Sequence, residues 1–122
     1  MKEISVYLRH ILDCIRRIEE DTVCGRDKFI ASHTYQDAVL RNLQTLAESA
    51  QRLSENIKRA HPEVEWQSIA AFRNVLVHDY LGIDIERIWE IVQKDIPKLK
   101  STIQKILDVL PNADAVNRDS NQ

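Results

Sequence analysis

Ile4-Ser5-Val6-Tyr7-Leu8-Arg9-His10-Ile11-Leu12-Asp13-Cys14-Ile15-Arg16-Arg17-Ile18 sets Ile4, Tyr7, Leu8, Ile11, Leu12, Ile15 and Ile18 on spacings of three and four. Residues so spaced share one stripe of an α-helix, and the charges between them turn outward. The pattern predicts a first helix from about Lys2 to Asp21. The stretch from Thr22 to Ser32 holds Gly25 and the apolar pair Phe29-Ile30, and reads as a connection with a short helix inside it.

A second helix is expected to start near Thr34, a suitable N-cap. Val39, Leu43, Leu46, Ala50, Leu53 and Ile57 then step by alternating fours and threes. Such a heptad-like seam suits antiparallel packing in a bundle and equally suits a second chain. Arg41, Arg52, Lys58 and Arg59 fall off the seam and read as a solvated face. His61-Pro62 is expected to end the helix, because the residue before a proline avoids the α region. His10 and His33 have no partner pattern.

The third helix is expected over Trp66 to Leu81, with Gly82 as its C-terminal stop and Asp84 as the next N-cap. A fourth helix then carries Ile88, Val92, Ile96, Leu99, Ile103, Ile106 and Leu110 on one stripe. Pro97 is expected to kink or restart it, with Asp95 as a local cap. Beyond Pro111 the sequence is polar and aperiodic. The organisation expected is therefore an all-α helical domain over residues 1–110 and a polar, frayed tail over 111–122. Four main helices plus a short connecting one pack most simply as an up-and-down bundle.

Composition agrees. The 122 residues are 43% hydrophobic and 30% charged, enough for one domain with a real core. Only 2 Gly and 3 Pro argue against a chain rich in tight turns. A net charge of −2 gives no global field attracting nucleic acid, so any RNA contact must come from a local basic cleft. Met1-Lys2-Glu3 leads straight into the amphipathic pattern without a secretory apolar region, and no apolar run is long enough to span a bilayer. Cys14 and Cys24 match no metal or redox spacing and read as reduced thiols. A soluble, cytoplasmic protein with no membrane association is the expectation.

Chemistry concentrates in Arg73-Asn74-Val75-Leu76-Val77-His78-Asp79-Tyr80. At about 100° per residue, Trp66, Ile69, Leu76 and Val77 fall within a sector of roughly 80–100°, and Arg73 lies inside it. A guanidinium on a core-facing stripe is costly unless it is paired or the stripe lines a cleft. One reading is an arginine that snorkels or meets a buried carboxylate. The other is a functional arginine.

Asn74 and His78 are four apart and neighbour each other on the helix surface, whereas His78 lies about 140° around from Arg73. One straight helix does not aim both at one atom; either the long arginine bends over, or a two-fold partner supplies a second set. Tyr80, seven residues after Arg73, returns to the apolar face near the helix end. Asp79 points elsewhere.

The order Arg-x4-His-x-Tyr is more specific than any member alone. With it, the chain resembles HepT-like HEPN-domain proteins, the toxin halves of toxin–antitoxin pairs whose antitoxin is a minimal nucleotidyltransferase. The matching residues are Glu65-Trp66-Gln67-Ser68-Ile69, Arg73 through Tyr80, Ile83-Asp84 and Ile88-Trp89. Leu46-Ala47-Glu48-Ser49-Ala50 is similar to the family's second-helix segment, with Ala-Glu-Ser where Gly-Glu-Ala is usual.

The resemblance implies a metal-independent endoribonuclease with no cofactor of its own, acting on RNA as a homodimer whose two motifs line one cleft. It implies Arg73 and His78 as catalysts, with Asn74 in support or in RNA binding. It further implies that the antitoxin partner, using its own ATP and Mg2+, adenylylates Tyr80 and forms a hetero-oligomer with the toxin. A non-catalytic helical adaptor that binds such a partner or a nucleotide is the alternative on the same residues.

Overall fold

The computed structural model describes residues 3–74, the backbone of 75–78, and residues 84–110. Six helices and no strand occur among them: α1 (Ile4–Thr22), α2 (Arg26–Ala31), α3 (His33–Gln51), α4 (Glu55–Ala60), α5 (Trp66–His78) and α6 (Ile85–Val109). Helix α1 packs against α3 and α6, and α3 carries α5 on its other flank. The expected all-α bundle of four long helices is what forms, with two short helices in place of one. The expected tail, 111–122, lies outside the described residues.

The stripe of α1 behaves as its spacing requires. Leu8, Ile11, Ile15 and Ile18 are fully buried and face Val39, Leu43 and Leu46 of α3 and Leu99 and Ile103 of α6 in one core. At its end, the Thr22 hydroxyl donates to the Ile18 carbonyl over 2.8 Å. Gly25 then adopts φ +94°, a conformation open to glycine, and its carbonyl accepts from the Phe29 amide to start α2. Phe29 is wholly buried, with its ring 5.4 Å from that of Trp89 on α6.

Three boundaries differ from expectation. Ser32, not Thr34, caps α3: its hydroxyl accepts from the Tyr35 amide over 3.3 Å. Gln36 reinforces that corner, donating to the carbonyls of Phe29 and Ile30.

The second helix does not run on to His61. The Arg52 and Leu53 amides close short turns onto the Ser49 and Ala50 carbonyls, and Ser54 then caps α4 by accepting from the Ile57 amide. Ser54-Glu55 is a helix-start signal, whereas Ile57 happens to stay in phase with the seam that ends at Leu53. The seam itself, Val39 to Leu53, is buried within this one chain and so offers nothing to a second.

Pro97 neither breaks nor restarts α6, which is continuous through it, so Asp95 is an interior residue and not a cap. Pro97 and Gln93 both face solvent, where water can serve the Gln93 carbonyl that proline leaves without a donor.

Candidate functional site on the fifth helix

The loop before α5 is pinned on both sides. The His61 carbonyl accepts from the indole Nε1 of Trp66 over 2.9 Å, fixing the first ring of α5. Glu63 Oε2 accepts from Thr102 Oγ1 of α6 over 3.0 Å and lies 3.3 Å from His61 Nδ1. The Glu63 backbone amide, then Thr102 and His61, hold the Glu63 carboxyl below the ordinary carboxylate range. Helix α5 therefore starts from a fixed point on α6 while resting on α3.

The face that α5 turns to the core is set by Ile69 and Phe72, 1% and 3% exposed. Phe72 lies about 100° around from Arg73 and Ile69 about 40° on the same side, which centres the buried sector about 70° away from it. Arg73 is consequently exposed, contrary to its expected place on a core-facing stripe, and so is Asn74. Arg73 forms no ion pair with any described residue. The buried salt bridge that would have given it a purely structural role is thus overturned. Its guanidinium is presented to solvent, where a phosphate can meet its fork of donors.

His78 is the last residue of α5; its side chain lies outside the described residues, as does Tyr80 altogether. The structure thus brings Arg73 and Asn74 together on one open face and carries the helix to His78. By register His78 follows Asn74 by one turn.

Two features escape a reading of the sequence. An open cavity of about 420 Å3 lies between α4 and α5, lined by Glu55, Lys58, Arg59, Trp66, Gln67 and Ala70. Between α1 and α3, His10 Nδ1 and Ser49 Oγ share a hydrogen bond of 2.6 Å, and Cys14 Sγ lies 3.8 Å from His10 Nε2. Burial pushes the Cys14 thiol up to about 11, so it is not a nucleophile at neutral pH. The helix-start signal at Ser54 was the clue that could have revealed the first feature. Nothing in the spacing of His10 and Ser49 announced the second.

Among the described residues, no group of three or more His, Cys, Asp or Glu is placed to hold a metal ion. No helix there is long and apolar enough to cross a membrane.

The family model described as "Ribonuclease HepT-like" matches residues 11–106, which include every helix segment that frames this face. The chain belongs to the HepT-like family. Among its HepT-like relatives, a "Probable ribonuclease HepT" from Thermococcus cleftensis is 37% identical over 82% of this chain and 92% of its own length. A "Putative RNase" from Caldanaerobacter subterraneus is 32% identical over 88% and 96%. A "Gamma-glutamylcyclotransferase and putative RNase" from Methanocaldococcus jannaschii is 38% identical over 89% of this chain. This chain spans 50% of that last protein's length. No solved structure gives a significant match. The matched region spans residues 73–80 as well as the helices that carry them.

Proposed function

We propose that this HepT-like chain is an endoribonuclease, the toxin of a toxin–antitoxin pair, and that Arg73 and His78 carry the reaction. The observation behind this is Arg73, solvent-facing and without an ion pair to any described residue, beside Asn74 on a helix that ends at His78. Similarity to proteins named as ribonucleases supports it.

The reaction is a transesterification. The ribose 2′-oxygen, present in RNA and absent from DNA, attacks the adjacent phosphorus, and the bond from phosphorus to the 5′-oxygen breaks. A 2′,3′-cyclic phosphate and a free 5′-hydroxyl result. One proton leaves the 2′-hydroxyl and one arrives on the 5′-oxygen.

His78 handles protons, because an imidazole can both take up and release a proton in the physiological range and so serve as acid or base. Its position at a helix C-terminus favours the imidazolium and hence the acid role. Arg73 holds the phosphate and the charge that develops on it, without a metal. Asn74 orients His78 or contacts the phosphate. A homodimer with two motifs across one cleft would supply the second set that the angle between Arg73 and His78 calls for.

Tyr80 is the proposed switch. Its adenylylation by a nucleotidyltransferase antitoxin, at the expense of that partner's ATP, would set a bulky negative group beside Arg73 and His78 and repel RNA.

The test is cleavage of total RNA by the purified chain and its variants. Loss of cleavage in both Arg73→Ala and His78→Ala, with cyclic-phosphate ends on the wild-type products, supports the reading. Undiminished cleavage in both variants overturns it. For the switch, incubation with a cognate nucleotidyltransferase and ATP is expected to add one AMP to Tyr80. Silencing without that adduct would show inhibition by binding alone.

A further inference from the structure

We infer that the cavity between α4 and α5 is a second RNA subsite, holding a nucleotide that flanks the scissile one on the same strand. This rests on the reading of Arg73 to Tyr80 as an RNA-cleaving motif. It adds a site about two helical turns away.

Three observations place a nucleotide there. The first is register. Trp66 and Gln67 precede Arg73 and Asn74 by seven residues each, so the two pairs share one stripe of α5, separated by roughly 10 Å along the axis. Ala70, between them, lines the cavity and leaves the stripe unobstructed by a large side chain. A strand laid along α5 with a phosphate at Arg73 therefore runs towards the cavity.

The second is shape and chemistry. The cavity, about 420 Å3, has the size of a small-ligand site. Trp66 is half-buried, packed on the core by one part and open to the cavity by another. Its orientation is fixed by the bond to the His61 carbonyl, and that loop is held to α6 through Glu63 and Thr102. A preset indole is a stacking surface for any base, and Gln67 offers both a donor and an acceptor to a base edge.

The third is charge. Lys58 and Arg59 stand at the rim on the last turn of α4, in a chain whose net charge is −2. Their own partners are weak: Lys58 Nζ is 3.9 Å from Glu55, and Arg59 donates to Asn56 over 3.4 Å. Glu55 also lines the cavity and subtracts one charge, leaving a net +1 there. That suits a single bridging phosphate, and a chain with no global basic surface needs such a local contact.

The test uses the full-length chain and a fluorescein-labelled 2′-O-methyl oligoadenylate of about a dozen nucleotides, which stacks but lacks the attacking hydroxyl. Binding is read by anisotropy in Trp66→Leu, which keeps apolar bulk against the core, and in Arg59→Glu. Arg16→Glu on α1 makes the same charge change away from the cavity, and far-UV circular dichroism checks each fold. The expected result is an affinity loss on the order of tenfold in Trp66→Leu and in Arg59→Glu, and a distinctly smaller loss in Arg16→Glu.

Wild-type affinity in folded Trp66→Leu and Arg59→Glu overturns the subsite. So does equal weakening by Arg16→Glu, or free AMP binding as tightly as the oligonucleotide. The ribonuclease reading is separated by the cleavage assay. RNA cut in an Arg73-dependent way with these variants binding normally sinks the subsite alone. Oligonucleotide binding that depends on Trp66 and Arg59, in a chain that cuts no RNA, sinks the ribonuclease alone.

Discussion

Thr102 Oγ1 donates to Glu63 Oε2 over 3.0 Å, so a buried residue of α6 fixes the loop from which α5 departs. Ile69 and Phe72 then orient the helix, and Arg73 and Asn74 fall on its open side. The direction in which Arg73 and Asn74 face is thus set by a hydrogen bond and two apolar side chains outside the Arg-x4-His-x-Tyr order.

That bond is expected to make stability pH-dependent. The Glu63 carboxyl is held below its ordinary value of 4.5 in the fold, first by its own backbone amide, then by Thr102 and His61. A depressed folded value means the stabilisation is fully present above the unfolded value and disappears as pH falls through the folded one. In Thr102→Val the thermal midpoint should drop relative to wild type at pH 7. The gap should narrow on acidification below pH 4.5. A gap that widens towards low pH would contradict this account.

Gly25 supports a second prediction. At φ +94° and ψ 168° its backbone lies in a region essentially reserved for glycine, while a Cβ added there would meet nothing within 4 Å. The cost of Gly25→Ala is therefore backbone strain alone, about 1–3 kcal/mol. Urea unfolding followed by circular dichroism measures it. A neutral or stabilising Gly25→Ala would mean that the α1–α2 corner relaxes without loss.

The long helices were legible because each buries the stripe that its spacing announces. Leu8, Ile11, Ile15 and Ile18 of α1, and Ile88, Val92, Ile96, Leu99, Ile103 and Ile106 of α6, are all buried. The break between α3 and α4 was not legible, because Ile57 keeps the phase of the seam while hydrogen bonds at Ser49, Ala50 and Ser54 end one helix and begin another. Arg73 was misplaced for a related reason. The segment from Ile69 to Val77 is apolar around much of its circumference, so periodicity alone does not select the buried side; contact with α3 does. The family resemblance did not depend on that placement, because the order of residues along the chain, not their burial, carried it. The cavity beside Trp66 stayed hidden because it exists only once α4 has separated from α3.

Exposure of Arg73 separates folding from chemistry more sharply than its expected position did. A buried, paired arginine replaced by alanine would leave an uncompensated carboxylate, and the variant would fold poorly. An exposed arginine without an ion pair to the described residues leaves nothing behind. Arg73→Ala should therefore unfold within about 0.5 kcal/mol of wild type. Its RNA cleavage should fall by roughly 100- to 1,000-fold, the usual loss when a donor to a developing charge is removed. Arg73→Lys keeps the charge without the planar fork and should recover only part of the activity. Chemical denaturation and single-turnover cleavage on the same preparations decide it. A large stability loss in Arg73→Ala would place its guanidinium back among structural contacts and remove the main support for the catalytic reading.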